Sequence, residues 1–87
     1  MNVFQLQIIT PEGVCFDGNA AQLSVRAAEG ELAIMAGHIP LVTTLSPGEC
    51  RVYTEDGVRH GSCTGGMLSC TKECTRLFST DFHWKEQ

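Results

Sequence analysis

His60, Cys63, Cys70 and Cys74 crowd one short stretch of the chain, and thiols with an imidazole are the side chains that bind zinc. Structural zinc usually draws its ligands from close C-x2-C or C-x4-C knuckles, two at each end. Here the spacings are H-x2-C, C-x6-C and C-x3-C, and no knuckle repeats. With Cys15 and Cys50 the count is five, an odd number that does not suit a secreted disulfide framework. The favoured reading is small buried hydrophobes in a reducing compartment, with Cys50, Cys70 and Cys74 facing the core. A small cytosolic metal-binding or redox module built on His60, Cys63, Cys70 and Cys74 is the alternative.

Other chemistry is sparse. A cysteine nucleophile needs a lowered pKa and a base beside it, and His38, His60 and His83 lie in no motif that supplies one. Glu29 and Glu31 are two apart beside a turn, where carboxylates are usually solvated rather than paired for acid–base work. There is no G-x-S-x-G or H-E-x-x-H. Gly65-Gly66 precedes no helix whose N-terminus could receive a phosphate, so it reads as room for a sharp turn. The chain is therefore expected to be no enzyme by itself, with no catalytic, metal or cofactor-binding residues and no cofactor.

Composition narrows the partners. Eighty-seven residues suffice for one small domain. Ten acidic and six basic side chains give a net charge of -4, which disfavours nucleic acid and anionic lipid as main partners. Hydrophobic residues make up 43%, too many for a disordered tail, yet in runs too short to span a bilayer. The start, Met1 to Gln7, lacks the basic and apolar blocks of a signal peptide, so a cytoplasmic or peripheral location is expected. A sandwich this small has little stability margin, and a covering partner would add to it.

The elements that must position these residues are strands. Phe4, Leu6 and Ile8 alternate with Gln5 and Gln7, and Ala21, Leu23, Val25 and Ala27 with Gln22, Ser24 and Arg26. Thr10-Pro11-Glu12-Gly13 suits a type I turn, and Asp17-Gly18 reads as a tight hairpin. Further strands are expected over 31–35, 41–45, around Cys50 to Tyr53, 58–63, 67–70 and 73–80, separated by turn residues. The residues Cys74, Arg76 and Phe78 alternate along the last of these. The sum is an all-β protein, a flattened two-sheet β-sandwich of about eight to ten short strands over residues 1–80. Residues 81–87 read as an exit segment.

The order of motifs is more specific still. Phe4-Gln5-Leu6-Gln7-Ile8-Ile9-Thr10-Pro11-Glu12-Gly13 opens the chain, and Glu29-Gly30-Glu31-Leu32-Ala33-Ile34-Met35-Ala36-Gly37-His38-Ile39-Pro40-Leu41-Val42 fills its middle. Pro47-Gly48 and Thr64-Gly65-Gly66-Met67-Leu68 follow. This pattern resembles the N-terminal β-sandwich domain of the epsilon subunit of F-type ATP synthase, over residues 3 to 69 above all. Arg76 departs from it, standing where the family usually has a branched aliphatic. So does the end of the chain, because the family continues into a C-terminal helical hairpin, toward which 81–87 would lead. ATP sensing and inhibition belong to that hairpin and are not implied here.

The resemblance implies a non-catalytic rotor subunit of the central stalk. It would link the gamma subunit to the c-ring and couple ion translocation, of protons or sodium, to ATP synthesis. Its place would be the cytoplasmic face of the cell membrane, held there only through the complex. By position in the motif, Glu31 and His38 are the expected c-ring contacts, with Gly37 and Pro40 shaping the loop that presents His38. Thr10, Val42, Thr43 and Leu77 are the expected gamma-subunit contacts.

Overall fold

Turns, rather than helices, divide the chain, and every regular element in the computed structural model, which describes residues 2–85, is a strand. In chain order these are β1 (Phe4–Thr10), β2 (Gly13–Ala20), β3 (Gln22–Ala27), β4 (Gly30–Met35) and β5 (Leu41–Leu45). They continue as β6 (Gly48–Thr54), β7 (Gly57–Cys63), β8 (Gly66–Cys70), β9 (Thr75–Ser79) and β10 (Phe82–Trp84). The hydrogen-bonded path runs β10-β7-β6-β3-β5-β8-β9-β1-β2, with β4 added to β3. β3 and β5 touch at the single pair Ala27↔Leu45. There the path folds over, giving one layer of β4-β3-β6-β7-β10 and another of β5-β8-β9-β1-β2.

Alternating side chains fill the space between the layers, because successive residues of a strand point to opposite faces. Leu23, Val25, Ile34, Cys50, Val52, Cys63 and Phe82 enter it from the first layer, and Leu6, Ile8, Leu45, Leu68, Cys70 and Leu77 from the second. The expected sandwich is therefore the observed fold.

Three local expectations are corrected. Asp17-Gly18 makes no hairpin; it lies within β2, opposite Gln7 and Leu6 of β1. The Pro11-Glu12 turn sets the β1–β2 register, and pairing along all of β1 outweighs a local turn preference. Along β9 the phase is the reverse of that suggested by Cys74, Arg76 and Phe78. Thr75, Leu77 and Ser79 face inward, while Arg76 reaches outward to Gln7, Nε to Oε1 at 3.0 Å. The arginine thus imposes no buried charge.

The third correction concerns the exit segment. Phe82–Trp84 pairs antiparallel with β7, Phe82 opposite Cys63 and Trp84 opposite Gly61. Gly61 is required there, since a Cβ would stand 2.5 Å from the Phe82 ring. Glu86 and Gln87 lie outside the described residues. On the far side, the β1–β2 register shifts between Ile8 and Ile9, leaving Cys15 without a ladder partner. Its carbonyl accepts the Trp84 Nε1–H at 3.3 Å. Trp84 meets Phe82 edge-on at 4.9 Å and Phe16 at 6.2 Å between centroids, and Arg59 lies 3.8 Å over its ring. The two sheet edges β2 and β10 are thereby latched together.

Candidate functional site

The outer faces of the two layers differ in chemistry. On the β4-β3-β6-β7-β10 layer, register sets Glu31 beside Arg26 and Arg51 opposite His60. Arg51 spans two carboxylates, with Nη2 3.5 Å from Glu31 Oε1 and Nη1 3.3 Å from Glu49 Oε1. Glu49 also accepts from His60 Nδ1 at 3.0 Å and from Lys85 Nζ at 3.4 Å. An ionised carboxylate can only accept, so the Nδ1 of His60 carries the hydrogen in this contact. The His60 hydrogen bond, followed by Lys85, holds the Glu49 carboxyl below the ordinary range against the opposing effect of burial. Glu31 is thus engaged in an ion pair and is still half open to water, its side chain 58% exposed.

His38 lies at the other end of β4. The backbone N–H of His38 donates to Met35 O at 3.1 Å, closing a turn. Gly37 occupies its third position with φ +84°, where a type II turn demands the left-handed region. The His38 ring Nδ1 donates to the carbonyl of Ile39 at 2.7 Å, leaving Nε2 as the acceptor of the neutral ring. Pro40 ends this loop just before β5. Glu31 and His38 are not brought together, because the strand between Glu31 and Met35 alone spans about 13 Å.

The other layer turns an apolar row outward. Successive pairings align Thr44, Met67, Phe78, Ile9 and Val14 across β5, β8, β9, β1 and β2. Met67 is 47% and Phe78 40% exposed, and the neighbouring Val42 reaches 68%. Ile9, Thr10, Pro11, Met67 and Phe78 line a shallow groove of about 520 Å³ on this face.

The four residues expected toward gamma therefore separate. Thr10 borders the groove and Val42 stands beside the row. Thr43 has the inward parity of Leu41 and Leu45 and stays half buried. Leu77 must be corrected: it is wholly buried and packs in the core, so it offers a partner no surface. Met67, Phe78 and Ile9 did not stand out from sequence. The available signal was parity, since Met67 is apolar yet out of phase with the buried Leu68 and Cys70.

The thiols do not converge with an imidazole. Cys63 ends β7, Cys70 ends β8, Cys74 precedes β9, and all three are buried, whereas His60 lies on the outer face of β7 with Glu49. Among the described residues no group of three or more His, Cys, Asp or Glu side chains is placed to hold a metal ion. The metal-site alternative has no assembled ligand set.

The family profile described as "ATP synthase, Delta/Epsilon chain, beta-sandwich domain" matches residues 3–85. An ATP synthase epsilon chain from Caldicellulosiruptor saccharolyticus is 32% identical over 87 residues, covering all of this chain and 64% of that protein. The "ATP synthase epsilon chain, sodium ion specific" of Acetobacterium woodii is 33% identical over 85 residues, 97% of this chain and 64% of that one. The chain thus spans a little under two thirds of the length of these relatives. Among solved structures, a chain of the Euglena gracilis mitochondrial ATP synthase, described as OSCP/F1/c-ring in rotational state 1, superposes with a TM-score of 0.89 at 21% identity. That match covers 97% of this chain and 54% of the other. A chain of the Tetrahymena thermophila mitochondrial ATP synthase, described as central stalk and c-ring, superposes with a TM-score of 0.77 at 15% identity, covering 91% of this chain and 64% of that one. At these identities both speak for the fold.

Proposed function

Because the chain belongs to the β-sandwich domain family of the ATP synthase delta and epsilon chains, we propose that it is a non-catalytic rotor component of the central stalk, joining the gamma subunit to the c-ring. In this reading it carries torque between them, coupling ion translocation to ATP synthesis at the cytoplasmic face of the cell membrane. The observation that carries it is the pairing of an apolar row on one outer face with a charged cluster on the other, over a single core. A connector under torque must resist shear, and a close-packed interior does so. Two chemically distinct faces let two partners bind without competing.

The apolar row of Met67, Phe78 and Ile9, with Val42 and Thr10 at its margins, is the surface assigned to the gamma subunit. Glu31 and His38 are assigned to the ring, Gly37 and Pro40 holding the latter's loop. Since β4 separates the two residues, a ring contact touches both only by running along that strand. Glu31, already paired with Arg51, sets register and steers approach more than it adds affinity. The setting has support from the similar folds in the Euglena and Tetrahymena assemblies, both of which include a c-ring.

Co-purification with gamma tests the reading. Met67→Glu is expected to abolish capture while far-ultraviolet circular dichroism stays unchanged. In the reconstituted complex, the double variant Glu31→Lys, His38→Glu is expected to weaken ion-driven ATP synthesis without unfolding the domain. Wild-type capture by the first variant, or wild-type coupling with the second, would remove the corresponding assignment.

A further inference from the structure

We propose that the hollow between the two layers at the His38 end binds a free medium-chain carboxylate, its hydrocarbon tail between the sheets and its carboxylate at Lys72. The stalk reading assigns no small molecule to this hollow, and the proposal stands apart from it. The hollow measures about 380 Å³, within the range of small-molecule sites. One lip is the β8–β9 turn, and the other is the loop between β4 and β5. Cys70 and Thr75 are buried and Phe4, at the start of β1, is half-buried; these three form the floor.

The interior suits hydrocarbon. Thr75 Oγ1 donates to Cys70 Sγ at 3.5 Å, and Thr71 Oγ1 donates to Cys74 O at 2.8 Å. Both hydroxyl protons are thus satisfied within the protein and require no polar ligand. The walls are Met35 and Ile39, 54% and 74% exposed. Apolar side chains left this open beside a concavity shed water when methylenes fill it, which favours binding in proportion to the apolar area covered. A hollow closed at one end by buried side chains takes the end of a chain rather than a segment passing through.

The lip supplies the charge. Lys72 lines the hollow from the β8–β9 turn, and among the described residues it enters no ion pair, whereas Arg51 and Lys85 both meet Glu49. Glu73, the next residue, lines the adjoining hollow and not this one. His38 stands on the opposite lip, its Nδ1 committed to Ile39 O at 2.7 Å. No carboxylate lines this hollow, so an acid at its mouth meets an ammonium that no acidic side chain of the same hollow offsets. An amine would meet the wrong charge. One lysine falls far short of the basic cluster that an anionic membrane surface requires, and the net charge of the chain is -4. The ligand is therefore the free acid rather than a headgroup in a bilayer.

Titration of the native chain with octanoate, followed by heteronuclear NMR and calorimetry, tests this. Octanoate, with about ten non-hydrogen atoms, should bind with a Kd of about 1 mM. It should move the amides of Phe4, Ile39, Thr71, Lys72 and Thr75 and leave those of Met67 and Phe78, on the outer face of the other layer, in place. Each methylene added from butanoate to octanoate should tighten binding about fourfold, and octanol should bind about threefold less tightly than octanoate. Lys72→Gln should erase that preference and leave octanol binding as it was. The shift map of the unaltered chain locates the site without any variant. Shifts at Met67 and Phe78 as large as those at the His38 end would overturn the proposal. So would octanol binding as tightly as octanoate, the lack of a chain-length trend, or no shift at about ten times the expected Kd.

Discussion

Replacing Trp84 tests the claim that the end of the chain closes the sandwich. In Trp84→Ala the half-buried ring is lost along with its edge contacts to Phe82 and Phe16, the Arg59 stacking and the bond to the Cys15 carbonyl. Each aromatic pair contributes about 0.5–1.5 kcal/mol, and the exposed cation–π contact about 0.5–1 kcal/mol. Because these contacts share one ring they do not add fully, and about 3 kcal/mol is the expected loss for the ring together with its hydrogen bond. At about 4–8 °C per kcal/mol for a domain of this size, Tm should fall by roughly 12–24 °C. Trp84→Phe keeps a ring but removes the indole N–H, isolating a hydrogen bond of about 1 kcal/mol and a drop of about 4–8 °C. Thermal unfolding followed by circular dichroism is the assay, since Trp84 is the only tryptophan and fluorescence would vanish with it. A Trp84→Ala chain melting within about 3 °C of the parent would refute the latch, because the contacts gathered on this one ring require a larger loss.

Three further outcomes are expected. Gly66→Ala should lose more than about 3 kcal/mol in urea unfolding, since its φ is +143° and a Cβ would meet the Phe78 carbonyl oxygen; Gly30→Ala, with φ +130° and open space, should lose about 1–2 kcal/mol from backbone strain alone. Leu77→Ala should cost about 2–5 kcal/mol by the same measurement, as a wholly buried leucine does, where a surface contact would cost almost nothing. The carboxyl of Glu49 is more acidic when folded than unfolded, so its contribution is present above the unfolded pKa and is lost as pH falls through the folded one. Glu49→Gln should therefore melt below the parent at neutral pH, with the gap closing in acid and narrowing in high salt.

What could be read from residues alone follows from which forces are local. Alternation at Phe4 to Ile8 and at Leu23 to Ala27 marks strands because side-chain direction has a period of two regardless of the partner strand. The Ala36–Pro40 loop and the turns at Glu29 and at Glu55-Asp56 were equally legible, as glycine and proline act on their own backbone. Asp17-Gly18 misled because a turn preference is weak against the pairing of seven positions of β1. Leu77 and Val42 were indistinguishable as apolar strand residues until the register set one inward and the other outward.

The all-β class, most of the strand positions other than β2 and β10, and the family pattern were therefore available from the chain itself. Tertiary structure alone decided the phase of β9, the apolar row across five strands, the ion pair that engages Glu31, and the latch between Trp84 and Cys15. Each of these depends on residues distant in sequence meeting at one register. The Trp84–Cys15 contact spans 69 positions. Nothing in the local preference of either residue encodes it, because it arises from a β1–β2 bulge that frees a carbonyl and a tenth strand that brings an indole to meet it.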